Sequence, residues 1–137
     1  MSETGVRKIL VADNDENVLL ALEQILENGG YTTATAVSGK EACILLSEGG
    51  FDLLVLDDSL SDKDCVQFLS ECRRSGITLL AIVTYNRFPA FDEEAQLNDL
   101  GVCALVNKHS HAELVGIVDY LLSPHAGRHR YGLESMT

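Results

Sequence analysis

The chain is poor in positive charge: 10 lysines and arginines stand against 21 aspartates and glutamates, a net charge of −11. That balance excludes a domain that binds nucleic acid through its overall surface charge. Long apolar runs are also missing. No stretch approaches the roughly 18 residues needed to cross a bilayer, and Met1-Ser2-Glu3-Thr4-Gly5 offers no hydrophobic signal core, so no membrane association and a cytoplasmic location are expected. Paired cysteines are absent too. Cys43, Cys65, Cys72 and Cys103 are scattered among apolar neighbours without a C-x-x-C pair, which suits reduced, mostly buried thiols. His109, His111, His125 and His129 have no spacing that suggests a shared metal. Neither an internal repeat nor a low-complexity segment is found. What is left, 137 residues of which 46% are hydrophobic, suits one globular domain with a real core.

The chain is organised around Phe51-Asp52-Leu53-Leu54-Val55-Leu56-Asp57-Asp58, an apolar run that stops on two carboxylates. Four consecutive branched aliphatics with no polar face read as a strand buried on both sides, as in a parallel sheet covered by helices. Asp57 then sits at the carboxyl end of the strand, where open α/β sheets bind ligands. Three other runs end in the same way: Ile9-Leu10-Val11-Ala12 on Asp13-Asn14-Asp15, Leu79-Leu80-Ala81-Ile82-Val83 on Thr84, and Ala104-Leu105-Val106-Asn107 on Lys108. Carboxylates, a hydroxyl and an ammonium would converge on one pocket.

Between these runs the periodicity predicts helices. The first strand spans Val6 to Ala12, and Asn14 or Asp15 can cap a helix whose inward face is Val18, Leu19, Leu22, Ile25 and Leu26. A more polar, β-branched stretch from Tyr31 to Val37 reads as a strand nearer the sheet edge. Lys40 to Ser47 forms the second helix. A polar loop from Asp58 to Lys63 leads to a third helix, capped by Asp64 and running through Arg74. Asp58, Asp62 and Asp64 read as solvated loop and cap residues. Pro89 discourages helix at Phe88, and a fourth helix covers about Glu93 to Leu100. The fifth strand runs over Val102 to Asn107, and Ser110 caps a last helix that Ser123-Pro124 terminates. Five βα units in a row mean a parallel sheet with helices on both faces.

Asp13, Asp57, Thr84 and Lys108, each directly after an apolar strand and in that chain order, resemble the receiver domain of two-component response regulators. The local wording agrees in Gly30-Tyr31 before the second strand and Ser38-Gly39-Lys40-Glu41-Ala42 at the second helix. The resemblance covers about residues 6–122 and implies a single-domain, flavodoxin-like, doubly wound five-stranded parallel sheet of order 2-1-3-4-5. It places the receiver in residues 1–124 and a C-terminal tail in 125–137. It implies a phosphoacceptor in a phosphorelay: Asp57 accepts a phosphoryl group from a sensor histidine kinase or phosphotransfer protein, and the signal passes to a downstream protein target. Such a chain catalyses its own phosphorylation and dephosphorylation at most. The implied cofactor is Mg²⁺, held by Asp13, Asp57 and the backbone carbonyl of Ser59, with Asn14 or Asp15 as a further ligand. Lys108 would pair with phosphoryl oxygens and Thr84 would hydrogen-bond another. Homodimerisation is compatible with the resemblance; direct nucleic-acid binding by this domain is not expected.

The chain departs from the family pattern at several positions. Asn14 stands where a second acid is usual, Ser61 and His109 where prolines are, Cys65 where a glycine is, Tyr85 where a small residue follows the threonine, and Leu105 where an aromatic reports switching. A non-proline cis bond costs about 3 to 4 kcal/mol, so the Lys108-His109 bond is expected to be trans. Two rival readings remain. A degenerate receiver would act as an interaction module without being phosphorylated. A haloacid-dehalogenase-like phosphatase would share the D-x-D of Asp13-Asn14-Asp15, but no further acidic pair follows Lys108.

Overall fold

The computed structural model describes residues 5–122. Five strands alternate with five helices: β1 (Lys8–Ala12), α1 (Glu16–Asn28), β2 (Thr32–Ala36), α2 (Gly39–Glu48), β3 (Leu53–Asp57), α3 (Cys65–Arg74), β4 (Ala81–Tyr85), α4 (Phe91–Asp99), β5 (Val102–Asn107) and α5 (His111–Leu122). The strands form one parallel sheet in the order 2-1-3-4-5, as the resemblance implied. The boundary expected at residue 124, the helix stop at Ser123-Pro124 and the tail 125–137 lie outside the described residues.

Alternation along the strands divides the core in two. Leu10, Ala12, Leu54, Leu56, Ala81 and Val83 face α2, α3 and α4, where Leu46, Phe68, Leu69 and Leu97 close the layer. Ile9, Val11, Leu53, Val55, Ile82 and Val106 face α1 and α5, against Leu22, Leu26, Leu114 and Val118. Every residue of β3 is buried, which is why its sequence shows no polar alternation.

The helix starts follow their capping residues. Asp15 rather than Asn14 caps α1, its Oδ1 accepting from the Asn17 amide at 2.9 Å. Asp64 caps α3 by accepting from the Gln67 amide. At α2 the Ser38 hydroxyl accepts from the Glu41 amide and the Glu41 carboxylate accepts from the Val37 amide, a reciprocal box that starts the helix one residue before the expected Lys40. α4 has no side-chain cap, but Asp92, Glu93 and Glu94 crowd its first turn, where the helix dipole favours anions. It begins at Phe91, two residues earlier than expected.

β1 starts at Lys8 rather than Val6, β2 is trimmed to Thr32–Ala36, and β4 is displaced along the chain. β4 covers Ala81–Tyr85 rather than Leu79 to Val83. Its pairing with β3 runs from Leu54↔Ala81 to Asp57↔Thr84, and its pairing with β5 extends to Tyr85↔Asn107. Leu79 and Leu80 therefore precede the ladder, and Leu80 is largely exposed. Thr84 belongs to the strand instead of following it.

Candidate functional site

The site is built by the last turn of the ladder on four strands. Asp57 ends β3 and lies in register with Thr84 on β4, which lies in register with Val106 on β5. Asp13 follows β1 and is fixed by its amide donating to the Ala36 carbonyl at 3.0 Å. Lys108 follows β5 and is fixed by its amide donating to the Tyr85 carbonyl at 2.9 Å. Ile9, Val11 and Asp13 share one face, as do Leu53, Val55 and Asp57, Ile82 and Thr84, and Val106 and Lys108, so the alternation that buries aliphatics against α1 and α5 delivers the four polar side chains to the same side.

Asp13, Asp57 and Thr84 are the buried polar side chains of the described residues. The Lys108 ammonium lies 3.0 Å from Asp57 Oδ1 and 3.5 Å from Asp13 Oδ2. Asp13 Oδ1 accepts from the Asp15 amide at 2.9 Å. Asp57 Oδ1 is buried, and the polar group that faces it is the Lys108 ammonium. Burial pushes the Asp57 carboxyl above its ordinary range, Lys108 pulls it back, and the adjacent Asp58 carboxyl adds to the rise. Burial likewise raises Asp13, against the Asp15 amide; the Asp57 charge raises it further and Lys108 lowers it. For Lys108 burial opposes the charge, but Asp57 and Asp13 outweigh it and the pKa is raised. Two buried carboxylates share one ammonium.

That arrangement fits a small divalent cation. Magnesium takes few carboxylates, with carbonyl, water and phosphate oxygens completing its shell. Among the described residues no three His, Cys, Asp or Glu side chains form a metal cage, but a set of two carboxylates and one carbonyl needs none. Ser59 is exposed and forms a two-residue bridge with Asp64. The bonds of that bridge run from the Leu60 amide to the Lys63 carbonyl and from the Cys65 amide to the Asp58 carbonyl, leaving the Ser59 carbonyl outside the pairing. Asn14 is exposed beside Asp13, and the Asp15 carboxylate is engaged at the helix cap.

The loop after β5 shapes Lys108 without a proline. No described peptide bond is cis, so Lys108-His109 is trans as expected. The Asn107 side chain accepts from the His109 amide at 2.9 Å, and the Asn107 carbonyl accepts from the Ser110 amide; the turn closes on asparagine. Two residues read as solvated are not idle. Asp58 is half-buried, with its carboxyl raised by burial and lowered by contact with Asp57 and by Lys108. Strand parity gives no signal for this contact, since Asp58 stands opposite to Asp57 in the odd-even alternation and lies past the end of β3. Asp62 holds the α2 N-terminus through the amides of Gly39 and Lys40, at 2.8 and 3.0 Å. No pattern in the sequence announces that tie, which joins positions 22 and 23 residues apart.

The family model described as the response regulator receiver domain matches residues 9–119. The transcriptional regulatory protein PrrA of Mycobacterium tuberculosis is 34% identical over 122 residues, covering 88% of this chain and 52% of PrrA; the chain thus spans about half the length of that relative. The receiver domain of the Francisella response regulator 1452 superposes with a TM-score of 0.77 at 26% identity, covering 87% of this chain and 98% of that one. The response regulator TrrA of Thermotoga maritima, solved in complex with Mg²⁺ and BeF, superposes with a TM-score of 0.73 at 25% identity, covering 85% and 100%. With strand order, strand-end constellation and family match in agreement, the chain belongs to the receiver domains of two-component response regulators, the family whose standard function is to accept a phosphoryl group.

Proposed function

We propose that Asp57 is the phosphoacceptor of this receiver and that Asp13, Thr84, Lys108 and the Ser59 carbonyl complete its site. The observation that carries the reading is the Lys108 ammonium set between two buried carboxylates at the ends of adjacent strands, 3.0 Å from Asp57 and 3.5 Å from Asp13. An Asp57 oxygen attacks the phosphorus of a phosphohistidine on a sensor kinase or phosphotransfer protein; the new O–P bond forms as the P–N bond breaks, and the imidazole leaves with the electron pair. Because Asp57 is held rigidly at the end of a fully buried strand, little reorganisation is needed to reach the in-line geometry. Lys108 pairs with phosphoryl oxygens, compensating the charge brought into an acidic pocket. The Thr84 hydroxyl donates to another oxygen once the group is in place. A magnesium ion held by Asp13, Asp57 and the Ser59 carbonyl, with Asn14 or Asp15 beside it, would supply the remaining positive charge.

The output passes to a protein partner, and the four unpaired cysteines suit a reducing cytoplasm. The test is incubation with MgCl₂ and acetyl phosphate, followed by intact mass and peptide mapping. A single phosphate adduct on Asp57 is expected. An adduct confined to another residue overturns the assignment, and an unmodified chain under conditions that label another receiver supports the interaction-only reading.

A further inference from the structure

The loop from Asp58 to Asp64 carries the Ser59 carbonyl, and its anchors are unequal. Its start is fixed by the Asp58 amide donating to the Thr84 carbonyl and the Asp58 carbonyl accepting from the Cys65 amide. Leu60 is sunk in the core layer beneath α3. Beyond Leu60 the loop turns through Ser61, where no pyrrolidine ring restricts φ. Asp62 ties this turn to α2. Its Oδ1 accepts from the Gly39 amide at 2.8 Å and its Oδ2 from the Lys40 amide at 3.0 Å, two charge-assisted bonds from one carboxylate. The same bonds lower its pKa, the Gly39 amide contributing most.

The box that α2 carries in Ser38 and Glu41 satisfies the Glu41 and Val37 amides and leaves the first-turn amides of Gly39 and Lys40 open. Their acceptor comes from a distant loop, and the contact surface is fitted to it: a Cβ on Gly39 would lie 3.0 Å from the Lys63 side chain and 3.1 Å from Asp62 Oδ1. Lys63 is itself held by Glu71 on α3 at 2.7 Å. The loop is therefore clamped between the start of α2 and the flank of α3, with Ser59 three residues from the clamp.

We propose that Asp62 is a positioning residue for divalent-cation binding, acting through the loop to set the Ser59 carbonyl and coupling the N-terminus of α2 to the metal site. The inference rests on the reading of the Ser59 carbonyl as a ligand. A loop that is not ordered beforehand must be ordered on binding, so Asp62→Ala weakens Mg²⁺ binding by roughly tenfold. Linkage makes the coupling reciprocal: saturating Mg²⁺ slows exchange of the Gly39 and Lys40 amides in the parent chain.

The experiment is an NMR titration of the full chain with MgCl₂, with amide exchange and thermal melting measured on the same samples. Asp62→Asn, which keeps one carbonyl acceptor, retains part of the affinity that Asp62→Ala loses. Ser38→Ala removes a cap of the same helix without touching the loop, so it lowers Tm and leaves Mg²⁺ affinity within twofold. Asp13→Asn is the control for the site, and binding is lost. If Asp13→Asn loses binding while Asp62→Ala binds as the parent does, Asp62 is not a positioning residue although the site stands. If Ser38→Ala weakens binding as much as Asp62→Ala, the effect is helix stability and the coupling is overturned. If Asp13→Asn binds as tightly as the parent, the site itself is misassigned, and the inference falls with it.

Discussion

The β1–β3 side of the sheet and the β4–β5 side share one parallel ladder but are built to different tolerances. On the first side the register runs unbroken from Ile9↔Leu53 to Ala12↔Leu56, β3 is buried throughout, and the following loop is pinned to Thr84, α2 and α3. On the second the β4–β5 register shifts between Ala81 and Ile82, so that Cys103 is extra in β5. There, too, α4 lacks a side-chain cap, and Phe88 and Phe91 stand in solvent, Phe91 at 86% exposure. Leu105 and His109, two of the departures from the family pattern, also lie there. An in-line transfer between fixed charges needs sub-ångström placement, whereas a surface met by a partner can change shape and side chains freely. The proposed acceptor site draws on both, taking Asp13 and Asp57 from the tight side and Thr84 and Lys108 from the loose one.

The sharpest way to break that division is at the acceptor. Asp57→Asn is expected to abolish phosphorylation, because an amide cannot serve as the nucleophile. Intact mass after acetyl phosphate treatment reads the result; label that persists and maps to Asp13 or Asp58 moves the acceptor. Packing comes next. Phe68 is fully buried beneath the β1–β3 side, and Phe68→Ala is expected to cost about 3–5 kcal/mol of stability in urea denaturation. Phe91→Ala should stay within about 0.5 kcal/mol. Equal losses for the two would erase the contrast between a tight side and a loose one.

What the sequence disclosed follows the same division. Asp13, Asp57, Thr84 and Lys108 were legible because an apolar strand that ends on a polar residue marks a strand terminus, and parity then puts all four on the α1/α5 face. The sheet order came from the resemblance, since alternating βα units alone fix a parallel sheet but not its order. The start of β4 was misread because Leu79 and Leu80 are apolar yet lie before the register that β3 offers. Hydropathy does not encode register. Asp58 reads as solvated but is half-buried, because loop conformation brings it to the Asp57 carboxyl; Asp62 is exposed as expected, and only its tie to the Gly39 and Lys40 amides was hidden.

The metal side of the site can be sharpened at Asn14. Asn14 offers a carbonyl oxygen but no charge, and Asn14→Asp is expected to tighten Mg²⁺ binding by roughly tenfold if about 1.4 kcal/mol is restored. Asp15→Ala should leave the affinity unchanged and cost about 1 kcal/mol of stability, since that carboxylate caps α1. Loss of Mg²⁺ binding in Asp15→Ala, with no gain in Asn14→Asp, makes Asp15 the second acid. Acid titration tests the same charges. Burial raises the folded-state pKa of Asp13 and Asp57 above 3.8, so the folded chain holds these protons more tightly than the unfolded chain. Their contribution is fully present below 3.8 and is lost as pH rises through the raised folded values. Asp13→Asn removes its share, so the Tm of the variant relative to the parent should rise with pH across that window without metal. A difference that is flat or falls with pH shows that Asp13 carries no burial penalty.

The smallest expected effect lies where the two sides meet. Tyr85 follows Thr84 at the end of β4, its carbonyl accepts from the Lys108 amide, and its ring meets the Phe88 ring edge-on with centroids 5.2 Å apart. The pair joins the rim of the acceptor site to the loop that leads into α4. Edge-to-face aromatic pairs contribute about 0.5–1.5 kcal/mol beyond burial, enough to hold this loop in one place but not to lock it. If the Tyr85 ring covers the path of a hydrolytic water to Asp57, Tyr85→Ala should shorten the lifetime of the Asp57 adduct by about threefold to tenfold, each factor of ten corresponding to about 1.4 kcal/mol. Phe88→Ala separates the two roles of the pair. If Tyr85 covers the site unaided, Phe88→Ala leaves the adduct lifetime as in the parent; if Phe88 holds the Tyr85 ring in place, it shortens the lifetime nearly as much as Tyr85→Ala. An unchanged or longer lifetime in Tyr85→Ala places the ring away from the site and confines the pair to the β4–β5 side.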